Sequence, residues 1–540
     1  MREGNASSVT GMSKGISIMG RFQIQWRALD LRADALQAFR GVFLGSPGTF
    51  MFESSVVVPG FSRFSFMGDA HGPSGEILTY DLHARRLTIA REGRSETIEV
   101  ESLFAWLNTQ LIERRIEAPP ELPFDFNLGY AGVFGYELKG ETGGSLAWRS
   151  DTHDAAFVFA TRLVAIDHLE GKTWLLHLVD GEAARARAEA WFDTVEAVLS
   201  APADAGGAVA SAQAGAPRRK LSLAEAEAWI ARHAEIRHDR PSYIAKIREA
   251  LTEIVNGESY EICLTNLVSF PFEGSPFALY RAMRELSPAP HAAYFDIGDF
   301  SHVGSSPERF LCVDRHGHAE AKPIKGTRPR GRTPEEDQAL IDDLLASEKD
   351  RAENLMIVDL LRNDLGQVSR LGSVHVPKLF DVETYSHVHQ LVSTIRGTLK
   401  AEVSGLECLR AAFPGGSMTG APKKRTMEII DRLEQGPRGI YSGALGWLGL
   451  SGACDFNIVI RSVTIQGGRA RLGVGGAITA LSDPVEEFDE TIVKARGVIE
   501  AVERLAALER AEAEQAPPPE LSCAMTQAEA PHAAAGATAV

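Results

Sequence analysis

The sequence predicts an α+β protein organised in two blocks, with a large β-sheet core and surrounding helices, and three observations carry that prediction. Stretches that alternate apolar and polar residues stand beside amphipathic runs of helical period. The two kinds are intermixed without the regular strand–helix–strand rhythm of a Rossmann-type sheet. At 540 residues the chain exceeds one ordinary domain. A small-residue, almost uncharged stretch at 201–217, APADAGGAVASAQAGAP, marks 201–220 as a linker between a first block at about 20–200 and a denser second block at about 221–508.

In the first block, residues 87–90 and 157–166 alternate as strands do, and 182–199 has helical period. In the second, Thr333-Pro334-Glu335-Glu336 is a capping box with proline at the first helical position, opening a helix to about residue 345. Ser347 caps another, which Gly366 is expected to stop near residue 365. Residues 456–465 read as one strand, and Gly467-Gly468 as a tight hairpin turn back through 470–474. Asp483-Pro484 opens a last long helix with Phe488, Ile492, Ala495, Ile499 and Val502 on one face. From 511 to 540 the chain is rich in Ala, Pro and Glu without periodicity and is expected to be disordered.

Composition narrows the function. A hydrophobic content of 44% with 24% charged residues is that of a globular protein. The net charge of −16 speaks against nucleic acid as a partner, and it means that an anionic substrate needs a local cation or metal. Cys263, Cys312, Cys408, Cys454 and Cys523 form no CxxC pair and no metal-like spacing, as expected of reduced thiols in a cytoplasmic protein. No apolar run approaches the roughly 18 residues of a membrane span, and the first 20 residues lack a signal-peptide core.

Two groups of carboxylates stand out. Glu353 lies in ENLMIVDLL, a helical segment apolar nearly all round and so expected to be buried, where a carboxylate needs a cation or strong donors. A buried salt bridge would serve as well as a ligand role. Asp350, one turn earlier, reads more simply as part of the cap at Ser347. Glu487 and Glu490 are spaced i,i+3 off the apolar stripe of the last helix. There they are either a solvated face favoured by the helix N-terminus or oxygen ligands for a hard cation such as magnesium.

An ordered set of motifs in the second block resembles the chorismate-binding enzymes, the family of anthranilate, aminodeoxychorismate, isochorismate and salicylate synthases. The set comprises GESYEICLTN at 257–266, SSPER at 305–309, PIKGTRPRG at 323–331 and KDRAENLMIVDLLRND at 349–364. It continues with LVST at 391–394, FPGGSMTGAPK at 413–423, IYSG at 440–443, IVIRS at 458–462, GG at 475–476 and DET at 489–491. The resemblance implies the α+β fold of anthranilate synthase component I, with an N-terminal subdomain and a chorismate-binding domain. In the first block, Phe52-Glu53-Ser54 resembles a tryptophan-site motif kept only in part.

The same resemblance implies a magnesium ion held by Glu353 and Glu490, with Asp350 and Glu487 in support. It assigns Arg461 and Tyr441 to the enolpyruvyl carboxylate and ether of chorismate, Gly475 and Gly476 to a turn whose N–H groups approach that side chain, and Thr327 to a position near the ring. A forked, permanently charged guanidinium suits a carboxylate. Glu308 takes the place of the general acid that protonates the departing C4 hydroxyl, and Lys325 that of a covalent nucleophile. Lysine at this position is the mark of the family's aminodeoxychorismate synthases, where its anthranilate-forming members have alanine. The expected reaction joins chorismate and ammonia into 4-amino-4-deoxychorismate for para-aminobenzoate and folate synthesis. Because no cysteine sits in a GxCxG motif, the ammonia is expected from a separate glutamine amidotransferase subunit. Two positions depart from other members: Glu261 stands where isochorismate-forming enzymes carry a lysine base, and Gln390 where many have histidine, with His389 beside it. The competing readings are an anthranilate synthase large subunit and a non-catalytic chorismate- or tryptophan-sensing subunit.

Overall fold

The computed structural model describes residues 8–12, 22–58, 60–201, 220–385 and 388–515. Almost all of the linker stretch, the tail from 516 onward and Cys523 within it lie outside the described residues. The chain is α+β: two antiparallel sheets, of 13 and 12 strands, with helices packed on them. Among the described residues no helix is long and apolar enough to cross a membrane.

Each sheet draws on both sequence blocks. In the larger, the first-block strands end with Phe64–Asp69 and Thr49–Glu53, and the sheet continues through His291–Asp296, Phe300–Ser306, Ser462–Gln466, Arg469–Ile478 and Glu261–Pro271. In the smaller, Ile324–Pro329 and Val388–Thr398 lie at one edge, and Arg309–Val313, Cys454–Ile458 and Ala444–Gly449 lead to the first-block strands Gly129–Phe134 and Ala155–Ala160. The seams are pairings such as Glu53 with Ala292 and Phe134 with Ala444.

The sheets face one another across an apolar core, and a second core lies between the larger sheet and its helices. Side chains alternate along a strand. Ile262, Leu264 and Val268 therefore pack with helix residues such as Phe488 and Ile492, while Cys263 joins the core between the sheets.

Two expected continuous strands prove to be pairs that change sheets. Residues 157–166 split at Thr161 into Ala155–Ala160 of the smaller sheet and Arg162–Asp167 of the larger. Residues 456–465 split at 459–461, with Cys454–Ile458 in one sheet and Ser462–Gln466 in the other. Each crossing interrupts the apolar pattern only by a polar pair, Thr161-Arg162 or Arg461-Ser462, and no proline or glycine marks it, so periodicity alone does not show it.

The helix starts agree with the reading and some ends differ. Thr333 caps Pro334–Ala346 by accepting from the Glu336 N–H, but the Glu336 carboxylate accepts from Arg332 rather than Thr333, so the box is half made. Ser347 caps Glu348–Val368 by accepting from the Asp350 N–H. This helix passes through Gly366, which is helical here; a glycine ends a helix when it turns left-handed. The helix is also one-sided rather than enclosed: Glu353, Ile357, Leu361 and Leu365 are buried while Leu355 is 50% exposed. Gly467 and Gly468, at φ 62° and 71°, make the hairpin turn. Pro484–Gln515 buries Phe488, Ile492, Ala495 and Ile499, with Val502 partly covered.

Candidate active site

The strands that change sheets position the first functional groups. The crossing at 459–461 carries Arg461 in a left-handed conformation, φ 53°, and a third crossing, between Phe300–Ser306 and Arg309–Val313, carries Glu308. The crossings are tied together: Ser305 N–H donates to Arg461 O at 3.0 Å, Ile458 N–H to Glu308 O at 3.1 Å, and Ser306 Oγ to Ile458 O at 2.7 Å. Arg461 is exposed to solvent, with Tyr441 and Glu490 near enough to act on its charge. Its guanidinium has no hydrogen-bond or ion-pair partner among the described residues. Burial pulls it below its ordinary pKa, against the influence of Tyr441 and Glu490. A guanidinium without a counter-ion is suited to an anion. Burial pushes the Glu308 carboxyl up to about 7, against the pull of Lys325 and a hydrogen bond with Ser417, so it keeps a proton near neutrality.

Lys325 approaches from the smaller sheet. A register shift in the pairing of Ile324–Pro329 with Val388–Thr398 falls between Ile324 and Thr327, and such a bulge re-aims the side chains it contains. Gly326, at φ 83°, completes it, and any Cβ there would sit 2.7 Å from Asp350 Cγ. Lys325 Nζ donates to Glu261 Oε1 at 2.8 Å and lies 4.0 Å from Glu353 Oε2. Burial works to lower the pKa of the amine, but Glu261 and Glu353 outweigh it and hold Lys325 above its ordinary value. Glu261 is fully buried, and its Oε2 has no hydrogen-bond partner.

Two helices bring the other carboxylates toward these groups. Glu353 is buried with Oε1 unpartnered, and burial pushes it up to about 7 against Lys325 and Lys349. Glu487 is buried as well, accepting from Ser482 Oγ at 2.7 Å and from Lys349 Nζ at 3.4 Å, so it is not the solvated residue its place off the apolar stripe allowed. Glu490 is the accessible one. Burial acts upward on it, but the Lys494 ammonium, 2.7 Å away, and behind it Lys349 and Arg461 hold it below its usual range. Asp350 is paired with Arg328 at 3.2 Å. Among the described residues no three of His, Cys, Asp and Glu lie together so that they could hold a metal ion as they stand.

Tyr441 and the glycines pack beside these groups. Tyr441 is buried, and a Cβ on Gly473 would lie 1.9 Å from its ring. Gly475 and Gly476 are not a loop but part of the strand Arg469–Ile478, paired with Thr265 and Leu264. Gly475 O accepts from Lys494 at 2.7 Å, and the bare Cα of Gly476 admits Glu487, whose Oε2 would be 3.1 Å from a Cβ there. Gly473→Ala should therefore displace the Tyr441 ring, costing about 1–3 kcal/mol of stability and raising KM for the substrate. A lowered Tm with altered KM checks this; an unchanged Tm would count against the packing.

Thr327 is exposed on the edge strand, paired with Gln390. His389 is fully buried, held between Asp337 and Thr384 at 2.8 Å each, while its neighbour Gln390 is half-buried. Glu53 is buried and takes both Nε and NH2 of Arg284 at 2.7 Å. With Phe52 and Ser54 it lines a separate cavity of about 780 Å³ between the sheets, which contains none of the candidate catalytic groups. The sequence reading missed Lys349, Lys494 and Gly473. The i,i+4 spacings Lys349–Glu353 and Glu490–Lys494 were a signal for the first two.

Comparison with known proteins places this arrangement. An aminodeoxychorismate synthase from Streptomyces griseus is 49% identical over 88% of this chain, and the chain spans 64% of that relative's length. Anthranilate synthase component 1 from Pseudomonas putida is 34% identical over 84% of this chain and 90% of its own. The crystal structure of anthranilate synthase component I from Streptococcus pneumoniae TIGR4 superposes with a TM-score of 0.62 at 28% identity, covering 82% of this chain and 93% of that one. Residues 70–500 match the model of the chorismate binding enzyme family, and the chain belongs to that family.

Proposed function

We propose that the protein converts chorismate and ammonia to 4-amino-4-deoxychorismate, feeding para-aminobenzoate and folate synthesis. The observation that carries this reading is the Lys325 amine, buried between Glu261 and Glu353. The similarity to aminodeoxychorismate synthases supports it.

In this reading Arg461 binds the enolpyruvyl carboxylate and Tyr441 packs beside the ether. Glu353 and Glu490 would hold Mg²⁺, with Glu487 and Asp350 adjoining, and the ion supplies a cationic anchor for the ring carboxylate. The donor chemistry suits such an ion: magnesium binds through one or two carboxylates and keeps several waters, so a group of three protein ligands is not required. The buried, unpartnered Glu353 Oε1 also lacks the partner that a buried carboxylate oxygen needs. Glu308 gives its proton to the C4 hydroxyl, which leaves as water. Lys325, having passed its own proton to the Glu261 carboxylate that it donates to at 2.8 Å, forms a bond to ring C2 while the ring double bonds shift toward C4. Ammonia then adds at C4, the shift reverses, and the lysine is expelled with the enolpyruvyl group retained.

Product analysis tests the proposal. Incubation with chorismate, Mg²⁺ and ammonium should give 4-amino-4-deoxychorismate by mass spectrometry, whereas anthranilate with released pyruvate would overturn it. The nitrogen source gives a second check. The pure chain should use ammonium at alkaline pH and not glutamine, with glutamine use restored by a separate amidotransferase subunit. Glutamine-dependent product from the chain alone would refute that partner.

A further inference from the structure

Two lysines stand among the carboxylates assigned to the cation, and the proposed reaction uses neither. Lys494 is held firmly, at 2.7 Å from both Glu490 Oε1 and the carbonyl oxygen of Gly475. Lys349 is held loosely. It lies four residues before Glu353 on the same helix, hence on the same face. Its one ion pair among the described residues is the 3.4 Å contact with Glu487 Oε1 across to the other helix, and its side chain is 42% exposed. Glu353 and Glu490 are the other acids whose charge bears on it. Glu353 Oε1, buried and without a hydrogen-bond partner, lies on the face that Lys349 shares.

We propose that Lys349 is an exchangeable counter-cation: its ammonium pairs with Glu487 and partly offsets the charge of Glu353 and Glu490 in the free protein, and swings outward when a divalent cation takes those oxygens. The inference rests on the reading of Glu353 and Glu490 as the cation site. Lysine suits the part, being a compact point charge on a flexible stem with no fixed fork to lose. The device weakens binding of the free cation, because binding breaks an ion pair and brings like charges together. An anionic substrate offsets the added charge, so cation and substrate enter more favourably together than apart.

Titration of the full chain with Mn²⁺, followed by electron paramagnetic resonance of the free ion without substrate, tests this. Lys349→Met should bind Mn²⁺ tighter by roughly tenfold, the scale of one like charge removed at a partly exposed site, and should melt lower than wild type in chelator. Lys349→Arg keeps the charge and should stay near wild type in affinity. If Lys349→Met binds no tighter while Glu353→Gln still loses Mn²⁺, the counter-cation role is overturned and the site stands. If Glu353→Gln and Glu490→Gln bind Mn²⁺ as wild type does, the site assignment fails and takes this inference with it.

Discussion

Lys325→Ala is expected to abolish a covalent adduct. With chorismate and no ammonia, the wild-type chain should gain mass on the peptide containing Lys325, and the alanine variant should not. Turnover with ammonium should fall by about two to four orders of magnitude, the range that positioned acids and nucleophiles contribute. Binding should persist through Arg461 and the cation site. A residual rate is expected, since ammonia can attack the ring directly while Glu308 remains in place. Lys325→Arg distinguishes nucleophile from charge: guanidinium fills the space beside Glu261 but stays protonated and cannot attack. Full activity in the arginine variant would reduce Lys325 to an electrostatic role and remove the covalent step.

Glu353→Gln should lose Mg²⁺-dependent turnover and still fold. One carboxylate fewer leaves too little negative charge to hold a hard cation together with the substrate anion. Folding should improve slightly. Burial raises the Glu353 pKa to about 7, so the native state binds this proton more tightly than the unfolded chain does, and wild-type stability falls as pH rises from the ordinary carboxylate range toward 7. In chelator the glutamine variant should therefore match or exceed the wild-type Tm at neutral pH, and the difference should close as the pH is lowered toward 4.5. Wild-type activity in the variant at limiting Mg²⁺ would remove Glu353 from the site.

Much of the local structure was legible in the sequence because it depends on near neighbours. The caps at Thr333 and Ser347, the Gly467-Gly468 turn and the buried stripe of the last helix each follow from residues within a few positions. The passage of strands between sheets was not legible, because apolar strand-like residues stand on either side of Thr161 and of 459–461 with no proline or glycine between them. The roles of Arg461 and Glu308 came from resemblance, since nothing nearby distinguishes an arginine on a strand or a glutamate after proline from surface residues. Only the fold shows them lying on adjoining crossings. The Lys325–Glu261 pair spans 64 residues, and the contact of Lys349 with Glu487 spans 138; no local pattern predicts such pairs.

The seams between the two halves bear on how the chain acquires its shape. Thr49–Glu53 pairs with His291–Asp296, and Gly129–Phe134 with Ala444–Gly449, so each sheet closes only by joining strands more than two hundred residues apart. Such pairings are slow to form, because the entropy of closing the loop is lost before the contacts are gained. During synthesis, the first block emerges with the edges of Thr49–Glu53 and Gly129–Phe134 unpaired, and unpaired strand edges invite association with other chains. Assembly is thus concentrated late, once the strands of both halves are available, and the site that carries Lys325 and Arg461 takes form at the same stage.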